Sequence, residues 1–160
     1  MVIIFCYAPT SEERKDEFYE ELQSAIDEIP ERDMKIVIGD LNAKVGRNKR
    51  GTKNLMGVKG LDKVANANGK HFIGFCSTSN HVIGGTPFQH KDIHRYTRTS
   101  PCDNYKYQID HIAIYEETRR TLRNVRNFRS TDIGSDHQLF IATLKLKLKA
   151  PSRNVDRIPR

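Results

Sequence analysis

The side chains able to move a proton, hold a metal or touch a phosphate fall in a few short stretches. Asp40 and Asn42 belong to Gly39-Asp40-Leu41-Asn42, directly after the apolar run 34–38. Alternate residues at a strand end can point to the same side, so a carboxylate and an amide would share one rim. Oxygen donors of this kind suit Mg²⁺, a hard cation. From spacing alone a simple Asx turn is the better account of the pair, since Asp and Asn readily bond their own backbone. Asp110 stands in Ile109-Asp110-His111 and is followed by Ile112 and Ile114. A buried acid there is costly unless paired; on the wet face of a half-exposed strand it is unremarkable. Ser135-Asp136-His137 precedes the last apolar run. Asp beside His joins a metal ligand to a group that handles protons, although such pairs also occur in ordinary loops. Tyr7 ends the first apolar run, where its ring could be core or its hydroxyl could reach a phosphate.

The elements that would carry these residues follow from periodicity. The unbroken apolar run 2–8, stopped by Pro9, predicts a strand buried on both faces. Thr10 and Glu13 have capping-box spacing. Phe18, Leu22, Ala25, Ile26 and Ile29 then recur at helical spacing up to Pro30. A second strand over 34–38 runs into the Asp40 turn. Residues 43–65 predict a long basic loop, and loops of that length are usually functional. A short helix over 69–78 follows, then strands near 81–84, 94–98, 107–114, 124–130 and 138–148. In the last, Leu144, Leu146 and Leu148 alternate with Lys145, Lys147 and Lys149, the pattern of a half-exposed strand. Strand, helix, strand, helix and then mostly strands predicts an α/β domain with a largely antiparallel second half.

Bulk properties narrow the partners. The 160 residues suit one domain. A net charge of +7 favours polyanions, nucleic acid or a membrane surface. Lys44, Arg47, Lys49, Arg50 and Lys53 concentrate that charge in the basic loop. Cys6, Cys76 and Cys102 are odd in number and form no CxxC pair, which argues against a disulfide framework or a zinc knuckle. An intracellular compartment, the nucleus included, is the expectation. No run approaches the ~18 apolar residues of a membrane-spanning helix.

Taken in order, a Tyr at one strand end, a Gly-Asp-Leu-Asn turn, an Ile-Asp in a strand and a Ser-Asp-His before the last strand resemble the endonuclease/exonuclease/phosphatase superfamily. The stretch Gly39-Asp40-Leu41-Asn42-Ala43-Lys44-Val45-Gly46 is similar to the corresponding segment of RTE-type non-LTR retrotransposon endonucleases and of craniofacial development protein 2-like proteins. So are Thr86-Pro87-Phe88-Gln89-His90-Lys91-Asp92, Tyr96-Thr97, Ser100-Pro101 and Gln108-Ile109-Asp110. The resemblance runs from about residue 3 to 149. It implies a DNase I-like two-sheet β-sandwich flanked by helices, N-terminally truncated. Residues 1–149 would be the partial domain and 150–160 a tail or linker.

The resemblance also implies roles. The reaction would be metal-dependent hydrolysis of a phosphodiester, with DNA as substrate, Mg²⁺ or Mn²⁺ as cofactor, and a reverse transcriptase domain as a partner in a full-length element. Asp40 would orient or deprotonate the water and touch the metal. Asn42 would hold a phosphate oxygen, Asp136 would ligate the metal, and His137 would bond the scissile phosphate with Asp110 orienting it. Tyr7, Thr97 and Ser135 match phosphate or neighbouring contacts, while the basic loop offers Lys49 and Arg50 to DNA. Two departures qualify this. The family's N-terminal half, with its metal-binding Glu, has no counterpart here, so impaired nicking is expected. Arg98 stands where close relatives often have Trp. A non-catalytic DNA- or protein-binding remnant is the alternative.

Overall fold

A computed structural model describes residues 1–46, 55, 61, 64–100, 102, 105–128 and 135–147. Strand β1 (Val2–Tyr7) pairs in parallel with β2 (Lys35–Asp40). Helix α1 (Lys15–Asp27) forms the crossover between them. The capping box does not form. Instead a 3-10 turn over Glu12–Arg14 leads into α1, and Ser11 and Arg14 make no side-chain cap bond. Helix α2 (Ala67–Thr78) precedes β3 (His81–Ile83). Then come β4 (Arg98–Thr99), β5 (Lys106–Tyr107), β6 (Asp110–Tyr115), β7 (Leu122–Phe128) and β8 (Leu139–Leu144).

Four strands form the central sheet in the order β1-β2-β6-β3, with β6 antiparallel to both neighbours. β4 and β5 make a short hairpin, and β7 and β8 a longer one. Alternation along β2 and β6 sends residues to two cores. Val37 and Ala113 join Leu22, Ile26, Phe72 and Phe75 beneath the helices. Ile36, Ile112 and Ile114 meet Leu122 and Val125, with Phe140, Ala142 and Leu144 against them. The central sheet is thus covered by helices on one face and by the β7–β8 hairpin on the other, a mixed α/β sandwich.

Two sequence expectations shift. β1 is not buried on both faces: it is an edge strand whose exposure alternates, leaving Ile3, Phe5 and Tyr7 on the surface. Those three side chains share the face of Ile36, Ile38 and Asp40 by register, but the β7–β8 hairpin does not reach them. The final strand ends at Leu144, so Lys145, Leu146 and Lys147 stand outside the ladder, while Leu148 and Lys149 lie outside the described residues. Most of the basic loop, including Lys49 and Arg50, and the 150–160 tail lie outside the described residues.

Candidate active site

The Asp40 rim is built by backbone constraints first. At Gly39 the chain has φ 153°, and a Cβ there would sit 1.9 Å from the Cys6 carbonyl oxygen. Only glycine lets β2 press against β1 at this point. The strand then turns. Asn42 adopts φ 47°, a left-handed conformation that Asn tolerates. Its backbone N–H donates to Asp40 Oδ1 at 2.9 Å, and its amide donates to the Ala8 carbonyl at 2.8 Å. The Asx turn is therefore real, and it fixes the Asp40 carboxylate. Asn66, which caps α2, holds the next residues: its amide donates to the Asn42 carbonyl, and its Oδ1 accepts from the Lys44 and Gly69 N–H groups.

Asp110 opens β6 directly opposite Asp40 in the register. Thr97, fully buried, accepts the Ile109 and Asp110 backbone N–H groups on its hydroxyl, both at 3.1 Å. Its own carbonyl accepts from Gln138 N–H at 2.7 Å. Thr97 therefore ties the start of β6 to the segment entering β8. Ser135 Oγ accepts the His137 N–H at 3.1 Å, closing the turn before that strand.

His137 is delivered between the two acids. Its Nδ1 lies 3.2 Å from Asp110 Oδ2, and its Nε2 lies 3.9 Å from Asp40 Oδ2. An N–H at Nδ1 donating to Asp110 fixes the tautomer and turns Nε2 toward Asp40. The 3.9 Å gap exceeds hydrogen-bond length, so a third group can be shared from one side. Burial raises the Asp110 carboxyl above its ordinary value, against the pull of the Thr97 hydroxyl and His137.

Asp136, the neighbour of His137, takes a different partner. Arg98 Nε donates to its Oδ2 at 2.6 Å, and this bond holds the Asp136 carboxyl below the usual range. Tyr7 ends β1 beside Asp40 in the register and is 71% exposed. Asp40, Asn42, Asp110, Asp136 and His137 thus occupy one rim, where β2, β6 and the entry to β8 end together. Thr97 and Ser135 support that rim through backbone bonds.

A cation fits these donors. Asp40, Asp110 and His137 each bring one ligand atom, all within 4.8 Å of one another. Two carboxylate oxygens are the donor type that Mg²⁺ and Mn²⁺ take. Asp136, expected as a ligand, is not in this group, and its carboxylate pairs with Arg98. Sequence reading also missed the cleft of about 270 Å³ beside the rim, lined by Asn42, Lys44, Arg98 and Tyr107 among others. The Lys44 ammonium sits 3.6 Å from the Tyr107 ring centre, a cation–π contact. Nothing in the local sequence ties residue 44 to 107 or 98 to 136; only the folded chain brings them together.

This sandwich is the fold of the endonuclease/exonuclease/phosphatase nucleases. Its likeness extends to the endonuclease domain of TRAS1, a telomere-specific non-LTR retrotransposon, with TM-score 0.59, 16% identity, and 89% of this chain and 57% of that one covered. A 3'-5' exonuclease (NExo) from Neisseria meningitidis aligns at TM-score 0.63 and 16% identity, over 90% of this chain and 61% of that one. An AP endonuclease from Archaeoglobus fulgidus aligns at 0.63 and 13%, with the same coverage. No protein-family model matches the chain. In sequence it is similar to craniofacial development protein 2. Identity is 38% over 152 residues with the Bos taurus protein and 36% over 152 with that of Tragulus javanicus, each match using 93% of this chain. The chain spans about a quarter of the length of these relatives, 25% and 26%. That likeness fits the same superfamily.

Proposed function

We propose that the chain carries the water-activating and phosphate-binding rim of a metal-dependent phosphodiesterase that nicks DNA, of retrotransposon endonuclease type. The carrying observation is the Asp40–His137–Asp110 row, with His137 fixed by Asp110 and aimed toward Asp40. Its support is the nuclease fold and the nucleases that share it, among them a NExo variant bound to a product DNA hairpin. Residues 1–149 act as part of such a domain and 150–160 as a tail.

Asp40 accepts a proton from the attacking water while the Asn42 N–H holds its other oxygen still. His137 Nε2 donates to a non-bridging phosphate oxygen, and Asp110 stabilises the imidazolium that this favours. Tyr7 and Asn42 flank the phosphate. Asp40, Asp110 and Asp136 are the carboxylates able to hold Mg²⁺ or Mn²⁺, which supplies charge neutralisation and a more acidic water. Lys44, which lines the cleft, contacts DNA phosphates, and Lys49 and Arg50 of the basic loop are the further DNA contacts of this reading. With three carboxylates and no Glu grouped with them among the described residues, turnover is slow: a displacement of about 1 Å in a reacting group can cost ~10²-fold.

Relaxation of supercoiled plasmid tests this. We expect slow nicking with Mg²⁺ or Mn²⁺, stopped by chelator and lost in Asp40→Ala and His137→Ala. Nicking that survives both substitutions would rule this rim out as its source. No nicking even at high protein and metal, with the fold intact, would favour a binding module.

A further inference from the structure

Arg98 reaches the rim from β4. Thr97 before it points into the core and is fully buried, so strand alternation turns Arg98 outward. An isolated bridge pairs Arg98 with His137, and the Thr99 N–H donates to the Asp136 carbonyl at 3.1 Å. The two segments are therefore locked side by side by backbone bonds. Side-chain pairing between Arg98 and Asp136 is then an addition to that lock, not its cause.

The pair sits in water. Arg98 is 40% and Asp136 33% exposed, and ion pairs so placed are weakly held. Asp40 lies close enough for its charge to act on the guanidinium. The same side chain lines the cleft with Asn42, Lys44 and Tyr107. One guanidinium thus faces both a potential metal ligand and the groove a polyanion would enter. Guanidinium has five N–H donors in a fork that matches phosphate, and Asp136 uses Nε.

We propose that Arg98 is a substrate-recognition residue of this site. Its guanidinium takes a phosphodiester oxygen when nucleic acid docks, and its ion pair with Asp136 is the resting position that withholds that carboxylate from a metal ion. The proposal rests on the nuclease reading. It makes metal and phosphate mutually reinforcing: a phosphate that draws Arg98 away releases Asp136 to the cation. Lys cannot reproduce this fully, because its ammonium is a point charge without the fork.

Two titrations test the idea on the whole chain. Mn²⁺ binding is followed by electron paramagnetic resonance without DNA, for the wild type, Arg98→Ala, Arg98→Gln and Arg98→Ala/Asp136→Asn. Both single variants should bind Mn²⁺ up to about fivefold more tightly, the scale of an exposed ion pair, and the double variant should lose that gain. Separately, a labelled 20-base-pair duplex is titrated in chelator at several salt concentrations. Arg98→Ala should weaken binding and lower the log–log salt slope by about one phosphate contact. Unchanged or weaker Mn²⁺ binding in the single variants, or an unchanged salt slope, overturns the proposal and leaves a plain surface ion pair. If neither the wild type nor any variant binds Mn²⁺, the nuclease reading falls and this proposal with it.

Discussion

The two faces of the central sheet are finished to different degrees. Beneath the helices every strand contributes to one core: Ile4 and Cys6 from β1, Val37 from β2, Ala113 from β6 and Ile83 from β3 meet Phe72, Phe75, Leu22 and Ile26. On the opposite face the β7–β8 hairpin packs on β2 and β6. There β1 shows Ile3 at 41%, Phe5 at 78% and Tyr7 at 71% exposure. The candidate rim lies on this second face, since Asp40 and Asp110 follow Ile38 and precede Ile112 in alternation. Rigidity is thus supplied from the helix side, and the working side keeps an open flank.

If that asymmetry is right, damage beneath the helices should cost most. Phe72 is fully buried and its ring lies tilted against His111, ring centres 5.4 Å apart. Phe72→Ala should destabilise the chain by about 3–5 kcal/mol, the range for large core truncations. Urea unfolding measures it. A loss under 1 kcal/mol would mean that the helix face is not the stabilising one.

Next in size is a pH effect, also from the helix side. His111 is buried, its Nε2 donates to the Ala43 carbonyl at 2.6 Å, and burial pushes its pKa down to about 4. The unfolded chain, with an ordinary His near 6.5, takes up this proton first. The neutral His111 therefore supports folding fully above about pH 6.5, and that support drains away as pH falls to 4. The difference of about 2.5 units corresponds to about 3 kcal/mol. His81 is shifted the same way by burial. Asp110 acts oppositely, because its raised pKa favours the folded state as it protonates. Urea midpoints at pH 7 and pH 4.5 should differ clearly for the wild type and much less for His111→Gln. Equal slopes in both would show that His111 is not the acid-sensitive group.

Much of this was legible in the sequence. A Gly-Asp after an apolar run, an Ile-Asp at the head of another and a Ser-Asp-His before the last each mark a strand entering or leaving the sheet. Strand alternation places Asp110 and His111 on opposite faces, so the sequence already separates the rim acid from the core histidine. What it did not contain was partnership across the chain. The run Val2–Tyr7 looks the same at a sheet edge as at its centre, because coverage depends on elements far away. Thr10 and Glu13 have the spacing of a capping box, yet the chain enters α1 through a 3-10 turn that leaves no place for it. Arg98 and Asp136 are joined only when β4 is laid against the entry to β8.

The smallest expected effect is the sharpest test of the contrast. Phe5 sits on the uncovered flank, in an edge strand with Ile3 and Tyr7 beside it. At 78% exposure it has little buried area to lose. Surface substitutions of this kind usually fall within ±0.5 kcal/mol, and Thr retains the β preference of the site. Phe5→Thr should therefore leave the urea midpoint of this chain nearly unchanged, while Phe72→Ala lowers it strongly. Exposed apolar surface beside an open strand edge promotes association, so the same substitution should reduce dye binding and self-association in sedimentation. In a longer chain whose additional strands lie over β1, Phe5 would be core, and Phe5→Thr should then cost stability on the scale of Phe72→Ala. A large loss in the 160-residue chain itself would show that the flank is already closed and the two faces are alike.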